Sequence, residues 1–176
     1  MDKNTLIAIV EEAFKNVKLE EGTGLWEAQG LDDYADEKTM NELRKKDERN
    51  DWSNIPAQQL LRCASSLSFF DAKGMRFHLP SFMLLDIMQE TSGTNAPDVT
   101  FTLGYDLKSD YQKERFSLLN QEQIISIIRF LEYKMQLIEN RYTELHGASS
   151  TSYLSNDVDY SNASKALQQW QQESGK

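Results

Sequence analysis

The chain of 176 residues carries 28 acidic and 19 basic side chains, a net charge of −9 and 39% hydrophobic residues. Its length suits one domain that buries about two thirds of its unfolded surface. The acidity argues against nucleic acid and anionic membrane surfaces as direct ligands. No apolar run reaches the roughly 18 residues of a membrane span, and a single cysteine, Cys63, leaves no internal disulfide framework and fits a reducing compartment. MDKNTLIAIVEEAF has no signal-peptide pattern, so the expected location is cytoplasmic.

A first helix is expected over residues 5–18, capped by Asn4 or Thr5. Leu6, Ile9, Val10, Ala13, Phe14 and Val17 repeat at the spacing of one buried face. Gly22 and Gly24 mark a turn in which Thr23 can cap the next helix. Residues 25–49 read as helical through Leu25, Ala28, Leu31 and Ala35, with a weaker continuation at Met40 and Leu43. A bend or break is expected at Gly30, because glycine costs a helix interior about 1 kcal/mol relative to alanine. Residues 42–51 are almost wholly charged and read as a solvent-facing helix end or a mobile loop.

Ile55-Pro56 opens another helix, proline being tolerated in the first turn where its missing N–H costs nothing. Leu60, Ala64 and Leu67 form its inner face, and Asp71-Ala72-Lys73-Gly74 has the composition of a tight turn. Met75, Phe77 and Leu79 alternate with Arg76 and His78, as do Val99, Phe101 and Leu103 with Thr100 and Thr102. Two short strands, 75–79 and 99–103, are therefore expected to pair. Between them Pro80 opens a helix that is apolar nearly all round, followed by a loop at 93–97.

The longest helix is expected over 121–146, with Asn120 as cap and Gln123 as its capping-box partner. Its stripe comprises Ile124, Ile127, Ile128, Leu131, Met135, Ile138, Tyr142 and Leu145, and Gly147 stops it. The fold class implied is mainly α, four to six helices with a minor two-stranded β element, as a single domain over 1–146. The helices at Pro80 and Ile124 are expected to form its core. A linker at 147–160 leads to a short helix over 161–176 that presents Ala163, Ala166, Leu167 and Trp170 and is either docked or mobile.

Cys63, His78 and Asp86 invite a nucleophile–base–orienter reading, but nothing in their spacing supports it. Cys63 has apolar neighbours, where cysteine acts as a small hydrophobe. Asp86 stands alone in an apolar stretch and calls for a partner such as Arg62 or Arg76. Two histidines 68 positions apart, with no HxxxH, CxxC or EF-hand spacing, offer no metal site. No phosphate-binding glycine loop is present, and no cofactor is expected. The acidity, by contrast, is local: Glu20, Glu21, Glu27, Asp32, Asp33, Asp36 and Glu37 fall within 18 positions that hold no base.

The central DW-x-x-IP at 51–56 and SLSFFDAKGMRFHLPSFM at 66–83 resemble a family of small bacterial proteins known only as a domain of unknown function. LIAIVEEAF, LDDYAD, VTFTL and RFSLLNQEQIISIIRFLEY resemble the same family in the same order, over roughly residues 5–134. Where that resemblance leads one to expect an aromatic before Leu79-Pro80, this chain has His78. The resemblance implies no activity, cofactor or catalytic residue.

The function expected from the residues is a non-enzymatic, acidic protein-binding module of the immunity type, one that neutralises a toxin in the cytoplasm. Glu27, Asp32, Asp33, Asp36 and Glu37 would face a basic partner, with Trp26 and Tyr34 as aromatic anchors. Two alternatives stand beside it. One is an enzyme with a scattered site around Asp86, Arg76, His78 and Cys63; the other is a structural or regulatory homo-oligomer.

Overall fold

The computed structural model describes residues 1–88, 97, 99–147 and 153–175. Every regular element among them is helical: α1 Lys3–Ala13, α2 Leu25–Asp32, α3 Glu37–Arg44, α4 Ala57–Arg62, α5 Ala72–Met88, α6 Val99–Leu103, α7 Asp110–Phe116, α8 Gln121–His146 and α9 Val158–Ser174, with 3-10 turns at Trp52–Asn54 and Ala64–Ser68. The chain divides into two compact units, one of residues 1–13, 100–107 and 120–176, the other of residues 14–99 and 108–119.

The expected two-stranded β element is not there. Residues 75–79 lie inside α5 and residues 99–103 form α6, so the fold is all-helical among the described residues. Five alternating residues cannot separate a half-exposed strand from a helix buried on every side. In α5 Met75, Phe77, His78 and Leu79 are all buried, so the polar His78 does not mark a solvent face. In α6 the alternation is lost: Val99, Thr100, Thr102 and Leu103 are all buried while Phe101 is half exposed. Nor does Pro80 start a helix, since it sits eight residues inside α5. It has no N–H for the carbonyl four residues back, and the helix continues through it. The real start is Asp71, whose carboxylate accepts the Gly74 N–H at 2.7 Å and the Thr23 N–H at 3.0 Å.

In the unit of residues 14–99 and 108–119, α5 is the central element. It buries Phe77, Leu79, Phe82, Met83 and Ile87 completely. Trp52 is buried beside it, its indole donating to the Phe14 carbonyl at 2.9 Å while Ser81 Oγ donates to the Trp52 carbonyl at 2.9 Å. Arg115, on α7, is buried too, and its guanidinium donates to the Leu67 carbonyl. His78 stacks on Phe70 with ring centroids 4.4 Å apart, and its Nδ1–H donates to the Gly74 carbonyl at 2.8 Å.

The other unit is built on α8, which at 26 residues is about 39 Å long. The expected capping box is present, with Asn120 Oδ1 accepting from Gln123 N at 2.9 Å and Gln123 Oε1 from Asn120 N at 3.0 Å. Both α1 and α9 pack on α8. Ile127, Phe130, Leu131 and Tyr133 are buried, whereas Leu145, the last of the expected stripe, is 69% exposed. α9 buries Ala163, Ala166 and Trp170, and the Trp170 indole donates to the Leu103 carbonyl at 3.0 Å. Positions 148–152 of the expected linker and 93–96 of the expected loop lie outside the described residues.

Candidate functional site

The acidic residues expected to face a partner, Glu27, Asp32, Asp33, Asp36 and Glu37, fall on one helical hairpin, α2 and α3 joined by residues 33–36, whereas Glu20 and Glu21 precede it and pair with Lys73. Glycine makes the hairpin tight. A side chain at Gly30 would lie 2.5 Å from Met40 Sδ and 2.6 Å from Leu43 Cδ1, so Gly30 is where α3 seats against α2. The helix is intact at Gly30 itself and ends two residues later, at Asp32, so the expected bend or break falls just beyond the glycine.

That turn ends α2 in a Schellman motif. Ala35 N–H donates to the Gly30 carbonyl at 2.9 Å and Tyr34 N–H to the Leu31 carbonyl at 3.3 Å. The motif requires a left-handed residue after the cap, a position glycine normally fills. Here Tyr34 fills it, at φ 52° and with 95% of its surface exposed. Leu31, one turn back, is also exposed.

The other expected site residues divide by what holds them. Glu27 is committed to the hairpin: its carboxylate takes Arg44 Nε at 2.7 Å and the Gly24 N–H at 3.4 Å. Asp36 caps α3 through the Thr39 N–H at 2.8 Å, a bond that holds its carboxyl below the usual range. Asp33 is exposed and accepts from Gln29 Nε2 at 3.1 Å. Asp32 is half-buried, and Glu37 is exposed in the first turn of α3. Around Tyr34, therefore, Asp32, Asp33, Asp36 and Glu37 form an acidic tip.

Trp26 stands apart from that tip. It is half-buried near the start of α2, with Lys46 Nζ and the Arg62 guanidinium each 5.2 Å from its ring centroid and its Nε1–H donating to Gln59 Oε1 at 3.1 Å. Asp47 caps the same helix from outside, accepting Trp26 N–H at 2.7 Å and Glu27 N–H at 3.4 Å. Burial pushes its carboxyl up to about 6, against those two bonds. None of Lys46, Asp47, Gln59 or Arg62 was singled out as a site residue. The one local sign was Gly24, which leaves room for the incoming carboxylate.

The alternative catalytic set finds less support. Cys63 is wholly buried and burial pushes its thiol up to about 11, the reverse of what a nucleophile needs. His78 is sealed, with Nε2 unpartnered among the described residues and the ring held neutral by burial to about 4. Arg76 and Asp86 are half-buried on α5. Among the described residues no group of three His, Cys, Asp or Glu side chains is placed to hold a metal ion. No helix there is long and apolar enough to cross a membrane.

Fold and geometry thus define a protein, helical in every regular element of its described residues, that displays an acidic hairpin tipped by an exposed aromatic. Residues 2–158 match the model of a family of unknown function, DUF6714, and the chain belongs to that family. Comparison with curated proteins and with solved structures gives no match.

Proposed function

We propose that the protein is a binding module whose α2–α3 tip docks on the basic surface of a partner protein, in the manner of an immunity protein masking a toxin in the cytoplasm. The observation that carries this reading is Tyr34. A wholly exposed tyrosine held in a left-handed conformation, where glycine is cheaper, stabilises nothing in its own chain. Tyrosine supplies a large, stiff contact with few rotamers to freeze, and it recurs at the centre of binding sites. Asp32, Asp33, Asp36 and Glu37 surround it with negative charge, which speeds encounter with a basic surface and disfavours other partners.

The test places a photo-crosslinking residue at position 34 and, as a control, at exposed Tyr111 in the cell of origin. One basic protein crosslinked from position 34 alone, and lost in Asp33→Lys/Glu37→Lys, supports the reading. Relief of that protein's growth arrest on co-expression supports the toxin-masking part. Equal crosslinking from both positions, or indifference to the charge reversal, overturns it.

A further inference from the structure

Lys46 and Arg62 share one aromatic partner. Several other bases of this acidic chain take carboxylates: Arg44 takes Glu27, Lys45 takes Glu42, and Lys73 takes both Glu20 and Glu21. Lys46 and Arg62 take none, since among the described residues neither has a carboxylate in ion-pairing range. Instead both lie against one indole, which brings them within about 10 Å of each other. The ring attracts each cation, by about 0.5–1 kcal/mol at an exposed site, but it does not neutralise either. Two exposed cations thus flank one half-buried indole, with no carboxylate among the described residues paired to either. Gln59, held by the indole N–H, adds a polar group beside the ring.

We infer that Trp26, Lys46 and Arg62 form a binding spot for an acidic peptide segment, distinct from the Tyr34 tip and independent of what the tip binds. A glutamate or aspartate side chain would be held by the two cations, with its methylene groups on the indole. The net charge of −9 opposes long polyanions, but screening confines that repulsion to about 8 Å at physiological salt, which leaves room for a short acidic segment.

The three tryptophans make the test internally controlled, because Trp52 and Trp170 have buried indole N–H groups bonded to carbonyls. The full chain, labelled with 15N, is titrated with hexaglutamate while its three indole cross-peaks are followed by NMR. The expected result is movement of the Trp26 peak alone, with at least tenfold weaker apparent affinity in Lys46→Gln/Arg62→Gln and in 0.5 M NaCl. Asp33→Lys/Glu37→Lys should leave the response in place, which separates this spot from the tip. No movement at millimolar peptide, or unchanged movement in the double glutamine variant, would overturn it. An equal response to inorganic phosphate at matched charge would also overturn it, making the spot a site for free anions.

Discussion

Replacing Tyr34 by glycine tests the central claim directly. For an L-residue the left-handed conformation costs roughly 1–2 kcal/mol, which glycine does not incur. Against this, glycine adds unfolded-chain entropy of about 0.4–1 kcal/mol. Tyr34 is 95% exposed, so its removal forfeits almost no buried surface. The Schellman bonds are backbone bonds and survive the change. The balance predicts that Tyr34→Gly is neutral or more stable by up to about 1 kcal/mol, while binding of the crosslinked partner falls at least tenfold. Urea denaturation with constant m-value measures the first and titration with the partner the second. Asn16→Gly, at φ 62°, serves as control, with a smaller gain because asparagine tolerates this conformation. A loss of more than about 1 kcal/mol in Tyr34→Gly would refute the reasoning, because it would mean the ring packs on its own chain.

Three further outcomes follow from the packing. His78 titrates near 6.5 in an unfolded chain and near 4 here, so the unfolded state takes up the proton first; stability present above pH 6.5 is lost as pH falls toward 4, by about 2 kcal/mol between pH 7.5 and 5. Urea midpoints across that range should fall less steeply for His78→Phe than for the parent, and parallel curves would contradict the buried neutral ring. Gly24→Ala drives a methyl into the Asp47 carboxylate and should cost about 1–2 kcal/mol by displacing the cap on α2; in an Asp47→Ala background it should cost much less, and a double-mutant cycle without coupling would show the clash is not what matters. Trp170→Ala removes a fully packed ring and its bond to the Leu103 carbonyl, an expected loss of about 3–5 kcal/mol, visible as faster hydrogen exchange in α9 and the facing part of α8.

Elements with local signals were legible, and elements held from a distance were not. Asn120 and Gln123 sit three residues apart, and an apolar stripe follows, so α8 could be placed with its cap before any coordinates. α5 defeated the same approach although Asp71 caps it locally through the Gly74 N–H, because Asp71-Ala72-Lys73-Gly74 also reads as a turn and the helix's buried perimeter erases periodicity. At the site, LDDYAD announced charge but not geometry, since the left-handed position carries tyrosine and not the glycine or asparagine that signals it. Trp26 read as an exposed anchor because Lys46 and Arg62 approach from 20 and 36 positions away. Gly30 read as a weakness in one helix, whereas its meaning lies in a second helix that needs the space.

The same distant contacts explain why strain at Tyr34 is affordable. Four independent ties hold the hairpin: Met40 and Leu43 over Gly30, Asp47 on the α2 amides, Arg44 on Glu27, and Ser66 Oγ on the Leu25 carbonyl at 2.8 Å. A flexible loop over residues 33–36 would lose roughly 1–2 kcal/mol of backbone entropy per residue when a partner ordered it. Held rigid, the loop meets that cost during folding, where the packing of α2 against α3 offsets it. One strained residue, at roughly 1–2 kcal/mol, is smaller than the ordering cost of four. A tip fixed in advance therefore binds more tightly than a relaxed one, even though the free protein is slightly less stable for carrying it.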